Sequence, residues 1–248
     1  MNDERKIYRR LEAGKIVETA EVLRKRVQER FPEAHLGRVI SELAALADET
    51  VARIAWIQRP HVPIRFGVWA LITAIVALAA WCAMEIYRHS FGSTFRISNF
   101  GDFASAIQAL DAGIGSIVFI GVAILFLLNW EVRIKRGRVI QALHEIRAMS
   151  HIVDMHQLTK DPETCLRSDS PTASSPRRAM TPFELNRYLD YCSEALSVLS
   201  KIAALYVQSF EDSALLDAVD DVENLTTGFS RKIWQKITIV EMLASGRK

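Results

Sequence analysis

Two uninterrupted apolar runs separate the polar, helix-patterned ends of this chain. They cover residues 66–84 and 112–130, and neither contains a charged residue. Each run has 19 residues, and at 1.5 Å per residue such a helix spans roughly 28 Å, close to the hydrocarbon thickness of a bilayer. Because lipid offers no partners to backbone N–H and C=O groups, a crossing segment must be helical. The pattern therefore predicts two transmembrane helices.

Two amphipathic helices are predicted before the first run, over residues 3–31 and 35–57. Pro32 separates them, and Pro60 and Pro63 break the chain before the apolar residues begin. The first stripe consists of Ile7, Leu11, Ile16, Ala20, Leu23 and Val27, and the second of Leu36, Ile40, Leu43, Ala47, Val51 and Ile54. Two helices cannot bury both stripes against each other alone, so we expect them to contact the C-terminal helices as well.

The helical pattern of the second run continues beyond it to about residue 158, with only Gly137 as a weak breaker. We therefore expect the second membrane helix to extend into the cytoplasm. Residues 159–181 then contain Pro162, Pro171 and Pro176 and a polar cluster. This composition predicts a flexible linker.

The C-terminal part carries the clearest helical pattern of the chain. Apolar residues recur there at alternating spacings of four and three, in a heptad seam typical of a coiled coil. The seam consists of Leu185, Leu189, Cys192, Leu196, Leu199, Ala203 and Tyr206. Thr181, Pro182 and Glu184 predict the helix start, and a turn near 210–213 leads to a second helix. An antiparallel hairpin is the simplest packing; association between chains along the same seam is the alternative.

Together these patterns predict an all-α integral membrane protein, with two transmembrane helices and a cytoplasmic helical bundle formed by the N- and C-terminal helices. The predicted parts are N-terminal cytoplasmic helices at 1–62, a two-helix membrane region at 63–130 with its outer connection at 88–111, a cytoplasmic extension at 131–158, a flexible linker at 159–181 and a C-terminal hairpin at 182–248. The outer connection is too short for a folded domain. Its residues 100–110 predict an amphipathic segment, lying on the outer surface or over the helix ends.

Basic residues fix the predicted orientation. Eight flank the cytoplasmic sides of the runs (Arg53, Arg59, Arg65, Arg133, Lys135, Arg136, Arg138 and Arg147), and two lie in the connection (Arg88 and Arg96). The positive-inside rule then places both termini in the cytoplasm, and we expect a bacterial inner membrane. Trp69, Trp81, Tyr87 and Trp130 lie near the run ends, where aromatic rings anchor membrane helices.

The net charge of +2 conceals two charged segments. Arg133, Lys135, Arg136 and Arg138 are expected to contact lipid headgroups, at about 1 kcal/mol per cation on an anionic leaflet. Residues 211–223 carry six carboxylates, which suit either a solvated turn beside a helix N-terminus or docking against basic residues 133–138. Nucleic-acid binding is not expected, because the basic residues end at the bilayer and no stacking platform accompanies them.

One polar stripe on the extension at 131–158 is a candidate site. His144, Arg147, His151 and Asp154 are spaced three, four and three residues apart and share a helix face, opposite Ile146 and Val153. The stripe suits an exposed polar face, an interhelical polar network, or a ligand or metal site. A metal ion at His151 and Asp154 would need further ligands from another helix.

Catalytic chemistry is not expected in this chain. It has no glycine-rich phosphate loop, nucleophile elbow or kinase signature. Cys82, Cys165 and Cys192 show no paired spacing, so neither a disulfide framework nor a zinc site is predicted. We therefore predict a protein that is not an enzyme and uses no cofactor or metal.

The leading functional hypothesis is a membrane-anchored helical scaffold that oligomerises and presents its bundle to a cytoplasmic protein partner. It depends on small residues that permit close helix approach, which suit hairpin packing or homo-oligomerisation: Ala70, Ala74, Ala77, Gly113, Gly115, Ser116 and Gly121. The alternative is a subunit of an oligomeric ion channel or transporter pore, with Asp102 and Asp111 at the outer mouth and Glu85 or Asn129 at an end. A third hypothesis is a pH sensor based on His144 and His151.

Overall fold

The structure is a computed structural model that describes residues 10–59, 62–92, 100–160, 162, 180–210 and 212–245. These residues are helical without a strand, which confirms the all-α prediction. The helices are α1 (Ala13–Arg30), α2 (His35–Gln58), α3 (Val62–Gly92), α4 (Phe100–Leu158), α5 (Pro182–Ser209) and α6 (Ser213–Ser245). They form two compact units, a bundle unit of Met1–Arg59 with Arg136–Lys248 and an apolar unit of Pro60–Lys135.

The core of the bundle unit is built from the stripes that the sequence pattern indicates. All seven seam residues of α5 are buried, and so is a matching stripe on α6. The α6 stripe consists of Leu215, Val219, Val222, Phe229, Ile233, Ile237 and Val240. Full burial of one large aliphatic side chain is worth about 1.5–3 kcal/mol, so this shared core is the main force that holds the bundle together.

Helices α1 and α2 add their own stripes to this core. Ile16, Ala20, Leu23 and Val27 of α1 are buried. The prediction was wrong at Leu11, which lies before the helix and is 37% exposed, and residues 3–9 lie outside the described part of the chain. The helix break at Pro32 is confirmed, since α1 ends at Arg30 and α2 begins at His35.

The predicted α2 stripe was wrong at Val51, which is 38% exposed, while Thr50 is fully buried. The buried positions continue at Thr50 because four- and three-residue steps alternate along the helix. Thr50 fits there because its Oγ1 donates to the Leu46 carbonyl oxygen at 2.7 Å and accepts the Tyr206 hydroxyl at 3.3 Å. A buried polar group whose hydrogen bonds are made costs little.

Helix α4 continues past the second apolar run to Leu158, as predicted. In the bundle unit its buried residues Val139, Ala142, Leu143, Ile146 and Val153 belong to the common core. The start of this helix differs from the prediction, since residues 100–111 form its first turns instead of a separate amphipathic segment. No proline falls between 100 and 130, and the glycines at 113 and 115 lower helix propensity without interrupting the backbone hydrogen bonds. Residues 93–99 of the outer connection, and 161 and 163–179 of the predicted linker, lie outside the described residues.

The predicted start of α5 is confirmed as a capping box. The Glu184 backbone N–H donates to Thr181 Oγ1 at 3.2 Å, and the Thr181 backbone N–H donates to Glu184 Oε2 at 2.8 Å. The pKa of Glu184 is lowered mainly by the hydrogen bond from the Thr181 backbone N–H, and further by a hydrogen bond from the Thr181 side chain. Pro182 occupies the first helical position, where its missing N–H costs nothing.

Truncation of the α5 seam should weaken the bundle strongly. Leu199 is fully buried, so we expect Leu199→Ala to lower the free energy of unfolding by about 2–5 kcal/mol, through lost burial and the cavity left behind. The matched control is Leu216→Ala on α6, where the leucine is 50% exposed and the loss should be below about 1 kcal/mol. Denaturant unfolding followed by circular dichroism measures both. Equal losses would contradict the placement of the seam in the core.

Candidate functional site

The apolar unit is the first candidate for function, because many of its described large apolar side chains are exposed. Among the described residues, one helix segment, Gly113–Leu158, is long and apolar enough to cross a membrane, and none of its most apolar window is buried. Helix α3 contributes a shorter apolar stretch, Phe66–Trp81. The side chains of residues 82, 83 and 85 lie outside the described ones.

Large apolar side chains cover the described surface of this unit. Twelve are more than half exposed: Phe66, Trp69, Val76, Leu78, Trp81, Met84, Ile114, Val118, Phe119, Val122, Leu125 and Phe126. In water, leaving them uncovered forgoes on the order of 10–20 kcal/mol of burial free energy. That loss is as large as the whole stability of an ordinary domain.

The small residues of the apolar unit face open space. Ala70, Ala74 and Ala77 share one face of α3 and are exposed. A Cβ atom added at Gly113, Gly115 or Gly121 of α4 would meet no atom within 4 Å. Within the described residues, these faces are therefore not used for close packing inside one chain.

The proposed pore residues are not gathered into a cluster in the described part of the chain. Asp111 and Asn129 are exposed, and Asn129 Nδ2 donates to the Leu125 carbonyl oxygen of its own helix at 2.9 Å. The side chains of Glu85 and Asp102 lie outside the described residues. Their grouping into pore rings stays a prediction.

Most of the cations expected at lipid headgroups have protein partners. Lys135 is 7% exposed, and its Nζ lies 2.8 Å from Glu131 Oε1. The guanidinium carbon of Arg138 lies 4.0 Å from the centroid of the Trp56 ring. Arg133 is exposed, so it is accessible for the predicted contact with lipid headgroups.

Arg136 joins α4 to the turn before α6. Its Nε and Nη2 donate to Asp212 Oδ2 at 2.9 and 2.6 Å. Asp212 also begins α6, because its Oδ1 accepts the Ala214 N–H at 3.1 Å and its carbonyl oxygen accepts the N–H of Leu215 at 3.1 Å. One residue of the acidic segment thus meets one residue of the basic segment, as the docking alternative requires.

A second polar cluster, around Arg53, joins α2 to α4 and was not anticipated from the sequence. Arg53 Nη1 donates to Glu145 Oε2 at 2.7 Å, and Nη2 donates to Glu49 Oε2 at 2.9 Å. The hydrogen bond from Arg53 to Glu145 raises the pKa of Arg53 above its usual value. Arg53 and Glu145 line a pocket of about 270 Å³ together with Trp56 and Tyr206. The four-residue spacing of Glu49 and Arg53 could have indicated an ion pair within α2. The contact with Glu145 of α4 could not be read from the sequence, because it depends on how the two helices pack.

Three of the four residues of the polar stripe of α4 are exposed, and Asp154 is half-buried. His144 and Arg147 are exposed, His151 lies edge-on to Phe229 with ring centroids 5.3 Å apart, and Asp154 Oδ1 accepts Gln157 Nε2 at 2.7 Å. Ile146 and Val153, predicted to lie on the opposite face, are fully buried. The described residues contain no group of three metal-ligating side chains. An exposed polar face fits His144 and Arg147, whereas His151 and Asp154 have contacts within the bundle unit.

No family model, curated protein or solved structure matches this chain. Its function is therefore inferred from its own residues and their contacts.

The Arg136–Asp212 pair should make bundle stability depend on pH. The hydrogen bond from Arg136 lowers the pKa of Asp212 in the folded state, below the ordinary value of about 3.9 in the unfolded chain. The stabilisation is therefore present above about pH 5, and it is lost as the pH falls through the lowered folded pKa. We expect Asp212→Asn to destabilise the bundle at pH 7 and to differ little from wild type at about pH 2.

Denaturant midpoints measured between pH 7 and pH 2 test this dependence. Asp217→Asn is the control, because Asp217 is an exposed carboxylate on the same helix and its removal should change the midpoint little at any pH. A constant difference between wild type and Asp212→Asn across the whole range would refute the role of the pair.

Proposed function

We propose that this protein is a membrane-anchored helical scaffold, which associates with copies of itself through the apolar unit and presents its bundle unit to a cytoplasmic protein partner. In this proposal α3 and the first half of α4 cross the membrane. The observation that carries it is the exposed apolar surface of residues 66–130, whose described large side chains find little cover inside the chain. A bilayer supplies that cover without any change in the fold.

The small residues support self-association. Lipid tails are as apolar as leucine, so membrane helices gain little from apolar contact and associate where small residues let backbones approach. The alanine face of α3 and the open glycine positions of α4 are of this kind. Because described atoms of the same chain do not fill these faces, another copy is the occupant that we propose.

The bundle unit supports the scaffold part of the proposal. Its five helical segments share one apolar core, and the Arg53 cluster and the Arg136–Asp212 pair hold surface polar groups in place between helices. A helical surface whose polar groups are held in place in this way suits protein recognition better than catalysis. The excess of basic residues beside the runs supports a cytoplasmic location for the bundle and for both termini, in a bacterial inner membrane.

Bulky residues on the alanine face should reduce the number of copies in the particle. We expect Ala74→Leu and Ala77→Leu to lower the mass of the purified particle, since leucine keeps the neighbouring backbone at a distance. The mass in a mild detergent is measured by light scattering, with the detergent contribution subtracted. Ala79→Leu is the matched control, because Ala79 is also exposed and lies about 180° around the helix from the alanine face.

A wild-type particle that is strictly monomeric at all detergent-to-protein ratios would overturn the oligomer proposal. Equal loss of mass in Ala79→Leu would show that the alanine face is not the contact surface.

The orientation is tested with tags at both termini. In inverted inner-membrane vesicles, whose cytoplasmic face points outward, an added protease should remove both tags, because the proposal places both ends on that side. Right-side-out vesicles of the same cells should protect both tags. Digestion of one tag alone would mean an odd number of crossings and would rule out the two-helix topology.

A further inference from the structure

A second, larger cavity lies at the end of the bundle unit where α1 ends, α2 begins and α4 ends. Its volume is about 580 Å³, which is within the range of small-molecule sites. Its walls come from Phe31, Ala34, Met155, Lys160 and Tyr188, among others. All of these residues belong to the bundle unit, and none takes part in the contacts proposed for oligomerisation.

Lys160 gives the cavity a positive charge. Its Nζ lies 5.1 Å from the centroid of the Tyr188 ring, and the described residues place no carboxylate within 4 Å of it. Arg30 also borders the cavity, with its guanidinium carbon 5.5 Å from the Phe183 ring. Glu33 is the one carboxylate among the lining residues, and it is exposed. The local charge favours an anion.

Tyr188 supplies a hydroxyl group at the cavity wall. Its side chain is 3% exposed, yet it lines the cavity, and its hydroxyl makes no hydrogen bond with any described residue. Burial raises the pKa of Tyr188, so the hydroxyl keeps its proton and can donate it to an anionic oxygen. A hydrogen bond from a neutral hydroxyl to a charged oxygen is stronger than one to a neutral acceptor.

The start of α2 adds a third attractive group. Its N-cap, Ala34, has no side-chain acceptor, and the first turn holds no acidic residue. Both Ala34 and His35 line the cavity. The first N–H groups of this 24-residue helix therefore carry the partial positive charge of the helix dipole without a capping side chain.

An aromatic ring and two methionines form an apolar part of the cavity wall. Phe31 is packed edge-on against Tyr188, with ring centroids 5.6 Å apart. Met155 and Met180 also line the cavity, and Met155 is 63% exposed. Methionine adapts its shape to irregular apolar ligands.

We propose that this cavity binds a small organic anion, a carboxylate or a phosphate monoester with an apolar body. The charged oxygens lie between Lys160, the Tyr188 hydroxyl and the start of α2. The apolar body lies against Phe31, Met155 and Met180. This site is independent of the scaffold function and holds whether or not the chain oligomerises.

Fluorine NMR on the full chain in nanodiscs of zwitterionic lipid tests the site. The probes are 4-fluorobenzoate and 4-fluorophenyl phosphate, with 4-fluorobenzyl alcohol as an uncharged analogue. We expect at least one anion to bind at least about tenfold more tightly than the alcohol, which corresponds to about 1.4 kcal/mol. The anion that binds distinguishes a carboxylate site from a phosphate site.

Two variants separate specific binding from general attraction. Lys160→Gln should weaken anion binding about tenfold or more, and Tyr188→Phe about threefold to tenfold, while neither should lower the unfolding temperature of the empty protein. The matched controls are Lys232→Gln, whose ammonium lies 5.2 Å from the Phe229 ring outside the cavity, and Tyr191→Phe, whose ring is 2% exposed. Both should bind within about twofold of wild type.

The site would be refuted if neither anion bound more tightly than the alcohol. It would also be refuted if Lys160→Gln and Lys232→Gln lost affinity equally, because the charge would then act without the cavity.

Discussion

The proposed membrane anchor depends on what covers the exposed apolar side chains described between residues 66 and 130. Twelve of these large side chains are more than half exposed, and the burial free energy that they forgo in water is as large as the stability of a whole folded domain. Acyl chains remove this cost and leave the backbone to satisfy its own hydrogen bonds as helix. The membrane anchor, the self-association and the orientation proposed here all follow from that constraint.

In the bundle unit, by contrast, the apolar stripes of the helices are buried against one another. Helix α4 supplies residues to both units, with open apolar positions before Lys135 and a buried stripe after it. The cations at the start of its bundle part are fixed by protein partners, Asp212 for Arg136 and Trp56 for Arg138. They therefore help to define where α4 lies in the bundle, in addition to any attraction to headgroups.

Most helices of this chain could be predicted from the sequence, because their apolar spacing is regular. The α5 seam, the α6 stripe and the capping box at Thr181 each follow from local pattern and local hydrogen bonds. Val51 was misplaced because a hydrophobic pattern cannot show that Thr50 will find Tyr206 as a partner.

The sites were less predictable than the helices, because they join residues far apart in the chain. The Arg53–Glu145 bond spans 92 positions, and the cavity near Lys160 brings together the ends of three helices with Tyr188 of a fourth. The residues 100–111 were misassigned for a different reason. Their amphipathic pattern is the same in a separate surface helix and in the first turns of a longer one, and only the observed continuity of α4 distinguishes them.

Quenching of tryptophan fluorescence by lipids with brominated acyl chains tests the central claim most directly. The chain has five tryptophans, so variants that retain only Trp69, Trp130 or Trp234 report on α3, α4 and the bundle separately. Acyl chains in contact with the apolar unit would quench Trp69 and Trp130 strongly and leave Trp234 as bright as in ordinary lipid. If Trp69 and Trp130 were quenched no more than Trp234, protein or water would surround these helices, and the account would be wrong.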